Sequence, residues 1–164
     1  MARALEELVM DELDVLYQGA LFLSGGSRRS AESLIDETAV AAYHAGVASA
    51  GELEPNPLER LLIRRFVAVS DGSGGDAAPA VKDARRGESV GPISAEGLYR
   101  AAGAVPPLAR AALWLVLIRR WSYEAAAALL GVDVEGLKRL LAYRDAFMSA
   151  VMSSGGAEAR RVVE

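Results

Sequence analysis

Cysteine is absent from this 164-residue chain, and histidine occurs once, as His44. Without cysteine there can be no disulfide scaffold, thiolate metal site or cysteine nucleophile, and the composition suits a reducing cytoplasm. One histidine cannot build a multi-histidine metal site, and His44 stands in no Ser/His/Asp context. No nucleophile, base and orienting group recur at a spacing that catalysis requires, so neither an enzyme nor a cofactor, metal or small-molecule substrate is expected. Long apolar runs are also missing. The longest, Ala111 to Ile118, is far too short to span a bilayer, and acidic residues from Glu6 onward do not make a signal peptide, so a cytoplasmic protein with no membrane partner is expected. Alternating β-branched runs bounded by turn pairs are lacking too, while Ala, Leu, Glu and Arg dominate, which predicts an all-α fold.

What is present divides the chain in two. From Asp71 to Ser94 the residues are Gly, Ser, Asp, Ala and Pro with scattered charges and no apolar period, the composition of a flexible linker over 71–93. Residues 1–70 carry 6 basic and 11 acidic side chains, net −5, whereas residues 96–164 carry 9 and 7, net +2. The expected architecture is two small helical bundles, 1–70 and 94–154, followed by a C-terminal tail over 155–164.

In the first half, Leu5, Leu8, Val9, Leu13, Leu16, Leu21 and Leu23 predict a helix from about Arg3 to Phe22, open to a break near Gly19 and ended by Gly25-Gly26. Ser30 is the candidate N-cap of a second helix to about His44, with Leu34, Ile35, Ala39, Ala42 and Tyr43 inward and Glu32, Asp36 and Glu37 on an acidic outer face. Pro57 opens a third, Leu58 to Val69, with Leu58, Leu61, Leu62, Phe66 and Val69 inward. In the second half, Ser94 caps a short helix through Ala102, and another follows Val105-Pro106-Pro107 as far as Arg119-Arg120. Ser122 with Glu124 caps a short helix ending at Gly131, and Asp133 caps a longer one to about Met152. A short helix, a tight glycine turn and a longer helix form a helix-turn-helix pattern.

The run SYEAAAALLGVDVEGLKRLL, Ser122 to Leu141, preceded by VPPLARAAL at Val105 to Leu113, resembles region 4 of the extracytoplasmic-function sigma factors, a branch of the sigma-70 family. That family has a Leu-Pro-Pro entry, a Ser-Tyr-Glu-Glu style start and a Leu-Gly-Val turn before the recognition helix. Leu16-Tyr17 and AESLIDET, Ala31 to Thr38, independently resemble region 2. The resemblance implies a bacterial transcription protein whose partners are the RNA polymerase core, an anti-sigma factor, or both, with possible promoter DNA contact. It also implies that Glu32, Asp36 and Glu37 dock on polymerase; Lys138, which the family keeps, Arg139, which it lacks, and Arg144, which could equally pack at the edge of the apolar stripe, are the candidate DNA contacts if DNA is bound.

Departures from the family pattern modify that expectation. The family's Gly-Thr-Val-Lys-Ser-Arg-Leu is here Glu135-Gly136-Leu137-Lys138-Arg139-Leu140-Leu141, which keeps the lysine but puts Leu140 where the family has arginine. The outward positions, Glu135, Lys138, Arg139, Ala142, Asp145, Ala146 and Ser149, carry two positive and two negative charges, a weak face for a polyanion. Where region 2 opens promoters this chain offers Arg60, Arg64, Arg65 and Phe66 and then a Gly/Ser/Asp stretch without tryptophan. Trp114 and Trp121 fall at apolar helix positions and are expected in the core. The leading expectation is a sigma-like regulator with weakened promoter contacts. The alternatives are a conventional sigma factor and a helical adaptor unrelated to transcription.

Overall fold

The computed structural model describes residues 5–46, 56–72 and 94–161, which are α-helical with one π-helical turn and contain no strand among them. The first half forms α1 (Leu5–Leu23), α2 (Arg28–Ala45) and α3 (Pro57–Gly72). The second forms α4 (Ala95–Gly103), α5 (Pro107–Leu113), the π turn Trp114–Ile118, α6 (Tyr123–Leu130), α7 (Val134–Leu141) and α8 (Arg144–Arg161). Residues 73–93, most of the expected linker, lie outside the described residues.

α1 runs through Gly19 without a break. A Cβ there would sit 3.1 Å from Trp114 Cζ2, so the glycine is a seat for an indole from the other half. Gly25 and Gly26 end the helix at φ +63° and +86°, backbone that side chains with a Cβ rarely adopt. α2 starts earlier than expected. Its N-cap is Ser27, whose Oγ accepts from the Ser30 N–H at 3.3 Å; Ser30 lies in the first turn, its hydroxyl 2.9 Å from that of Ser27. Two serines three residues apart satisfy the same capping pattern, and the Gly25-Gly26 turn selects the first.

The inward face of α2 is Ala31, Leu34, Thr38 and Ala42, with Thr38 Oγ1 donating to the Leu34 carbonyl at 2.6 Å, which lets a hydroxyl enter the core. Tyr43 is 74% exposed and Val69 on α3 is 59% exposed, so both leave the expected core; Ile63 takes a core place on α3 instead. In the second half Ser94, Ser122 and Asp133 cap α4, α6 and α7 as the sequence predicts, and Gly131 closes α6 at φ +70°. The single long helix expected after Asp133 is two: α7 ends at Leu141 and α8 restarts at Arg144, continuing past Met152 to Arg161. The bend lets Phe147 stack edge-on against Phe22, 5.7 Å between centroids, while α8 packs on α4.

The halves share one apolar core. Phe22 lies 5.4 Å from Trp114, α1 packs on α4 and α5, and α3 packs on α5 and α6.

Candidate functional site

The six residues singled out in the sequence are all on the surface, on three elements. Glu32, Asp36 and Glu37 are exposed along α2, Glu37 accepting from Ser33 Oγ at 3.3 Å. Lys138 and Arg139 are exposed on α7 and Arg144 at the start of α8. Lys138 Nζ contacts Glu135 Oε1 at 2.7 Å, and this hydrogen bond raises the ammonium above its ordinary range. One of three expected DNA cations is therefore held by an acid from its own helix, three residues away. Arg139, Arg144 and Asp145 are exposed beside it, and of the outward positions only Ala146 is half-buried. The charge balance expected of this face is thus drawn tighter by a direct pair.

The most elaborate polar chemistry lies where the two halves meet, and no sequence pattern announced it. Glu59, in the first turn of α3, is 1% exposed. Its Oε1 accepts from Trp114 Nε1 at 3.0 Å and from Arg119 Nε at 2.8 Å, both from the second half, while its Oε2 is buried without a partner. The π turn makes this possible. In an α-helix, residues five apart diverge by roughly 140° at about 100° per residue. Here Arg119 N–H bonds the Trp114 carbonyl at 3.0 Å, an i to i+5 bond, and the wider turn brings both side chains to one carboxylate oxygen. Arg120 follows at φ +60°, and the reversal carries Trp121 beneath Arg60, whose guanidinium carbon is 4.7 Å from the indole centroid. Trp114 is core, as expected; Trp121 is half-buried in this cation–π contact.

Glu12 on α1 borders the same cluster. Burial raises its carboxyl above the usual range, with the Glu59 carboxylate pushing the same way, against the backbone N–H groups of Glu59 and Leu58 and the Arg119 charge. Arg110 is the second cross-half clamp. It donates to the Leu23, Gly103 and Val105 carbonyls and lies over the Phe66 ring at 6.0 Å from its centroid. Burial lowers its affinity for the proton.

Among the described residues no group of three or more His, Asp or Glu side chains could hold a metal ion, and no helix is long and apolar enough to cross a membrane. A small apolar cleft lined by Leu16, Ile35, Thr38, Ala39, Leu58 and Leu62 indents the first bundle beneath α2.

The helical order, with a capped helix-turn-helix in the second half, defines the fold of a sigma factor. A solved structure has a similar fold: the sigma factor RpoE, in a co-crystal structure with the anti-sigma factor NepR from Bartonella quintana, is similar over 88% of this chain and 94% of its own, with a TM-score of 0.61 and 21% identity. No family model matches the sequence, and no curated protein does.

Proposed function

We propose that this chain is a sigma-factor-like regulator of bacterial transcription that acts by binding the RNA polymerase core, an anti-sigma factor, or both, with weakened promoter contacts. The observation that carries the reading is the Lys138–Glu135 pair: on a sigma-factor fold, the recognition helix commits a cation that phosphate contact needs to an acid on its own surface. Among the described residues the acidic face of α2 has no such ion pair. Glu32, Asp36 and Glu37 stand exposed, and the structurally similar RpoE was crystallised with an anti-sigma factor, which makes a protein partner the natural ligand. The reading makes it a non-enzymatic regulator and places it in the cytoplasm with no cofactor.

A conventional sigma factor is the second reading, favoured by Arg139 and Arg144, which are exposed and free of ion pairs among the described residues. The test is affinity capture with the full chain from a bacterial lysate, scored for polymerase subunits and for an anti-sigma factor. Reversing Glu32, Asp36 and Glu37 together should abolish capture and leave the fold intact, because exposed helix charges each contribute about 0.5 kcal/mol or less. Capture that survives the triple reversal returns this face to plain solvation.

A further inference from the structure

Glu12 and Glu59 belong to different helices and share one defect. Glu12, half-buried on α1, accepts from the backbone N–H groups of Leu58 and Glu59 and so caps α3 from outside its own helix. Glu59, 1% exposed in the first turn of α3, gives one oxygen to Trp114 Nε1 and Arg119 Nε. The second oxygen, Oε2 in both side chains, is buried and has no hydrogen-bond partner. Two ionised carboxyls offer acceptors only, so neither can satisfy the other; a protonated carboxyl is also a donor. We propose that Glu12 and Glu59 form a proton-binding site: one proton taken from solvent bonds to Glu12 Oε2 and is donated to Glu59 Oε2, which satisfies both oxygens at once.

Charge arithmetic selects the same occupant. The charges that act on Glu12 are the Glu59 carboxylate and the Arg119 guanidinium. Two carboxylates and one guanidinium leave a net negative charge at a buried place, and a single proton cancels it. No other charge among the described residues supplies that balance. Arg60, next to Glu59 in α3, lies over Trp121, and Arg64 and Arg65 are exposed. Glu32, Asp36, Glu37 and His44 of α2, Asp14 of α1 and Tyr123 and Glu124 of α6 are exposed as well. Glu96 and Arg100 of α4 pair with each other on the surface, and Arg110 of α5 is bonded to backbone carbonyls. A metal ion fits worse than a proton, because the N–H groups of Leu58, Glu59, Trp114 and Arg119 present positive ends to it. Burial and the Glu59 charge both raise the Glu12 carboxyl, which is the direction a shared proton requires. Folding therefore takes up a proton here, so the site stabilises the fold in mild acid and loses that contribution as pH rises through the folded value.

The site does not depend on the sigma-like reading, and its test uses no partner. Carboxyl carbon resonances of the full-length, isotopically labelled chain are followed by NMR from neutral to acid pH, with the Glu12 signal assigned by its loss in Glu12→Gln. In the parent the Glu12 and Glu59 carbons should move together with one midpoint above the ordinary carboxylate range, because a proton between two sites titrates the pair rather than either residue. Glu59→Gln keeps an oxygen for Trp114 and Arg119 and sets a permanent N–H where the shared proton would lie. The Glu12 midpoint should then fall to the ordinary range or below. A parent in which Glu12 titrates while the Glu59 carbon stays still overturns the shared proton. A Glu12 midpoint that remains raised in folded Glu59→Gln also overturns it, since burial alone would then hold the carboxyl up. If Glu59→Gln does not fold, the parent titration decides alone.

Discussion

Two glycines with nearly the same backbone offer a matched measurement of how tightly the halves are joined. Gly25 at φ +63° and Gly131 at φ +70° both occupy the left-handed region at helix ends, so alanine at either incurs the same conformational cost of about 1–2 kcal/mol. Their surroundings differ completely. A Cβ on Gly131 meets nothing within 4 Å, whereas one on Gly25 would stand 2.7 Å from the Cα of Gly103, in the other half, and 3.8 Å from Arg110 Nη1. The obstruction is backbone, which cannot rotate away as a side-chain tip would, so the halves must separate by several tenths of an ångström and loosen the Arg110 bond to the Leu23 carbonyl. Overpacking of this kind costs about 1–3 kcal/mol beyond the φ term. Gly25→Ala should therefore lose about 2–5 kcal/mol and Gly131→Ala about 1–2. With about 2–4 °C per kcal/mol for a chain of this size, the melting temperatures of the two variants should differ by roughly 4–8 °C for a 2 kcal/mol gap. Scanning calorimetry on both variants, with urea denaturation read by tryptophan fluorescence, measures it. Equal losses would refute the close approach of Gly25 and Gly103 and the joined core built on it.

The remaining predictions concern the caps, the buried acids and the reading face. Ser27→Ala should cost about 1 kcal/mol, the usual value of an N-cap, and Ser30→Ala clearly less, as measured by urea denaturation; the reverse order would restore Ser30 as the cap. Glu12 has a carboxyl raised in the folded state, so folding takes up protons there. Its contribution is most favourable below the ordinary carboxylate range and is lost as pH rises through the raised folded value. Glu12→Gln, which removes the charge beside Glu59 but keeps an acceptor for the α3 N–H groups, should raise the melting temperature at pH 7 and give no advantage at pH 4. Duplex DNA should bind the isolated chain no better than roughly micromolar at near-physiological salt, with a shallow salt slope further reduced by Arg139→Ala and Arg144→Ala. A nanomolar, sequence-selective complex in fluorescence anisotropy would sink the weakened-contact reading.

Legibility in the sequence followed the range of the interaction. Ser94, Ser122 and Asp133 could be read as caps because a cap is decided within three residues, and Gly25-Gly26 and Gly131 because positive φ is a local demand. The exposed acids of α2 and cations of α7 were legible from periodicity, since solvent asks only for a polar face. Glu59 was not. Its donors are 55 and 60 residues further along the chain, and an acid in the first turn of a helix already has a local explanation in the helix dipole. The π turn hid for a related reason: WLVLI continues an apolar helical run, and the change from i+4 to i+5 bonding is imposed by what Trp114 and Arg119 must both reach. The bend between α7 and α8 carries neither glycine nor proline and arises where Phe147 turns toward Phe22.

The surfaces legible locally and those visible only in the fold divide along the seam. The acidic face of α2 and the cations of α7 and α8 lie on the outside of the joined halves. Arg60 and Phe66 of α3 lie instead against Trp121 and Arg110 of the second half. A partner that approaches α2 therefore meets the closed chain as it stands.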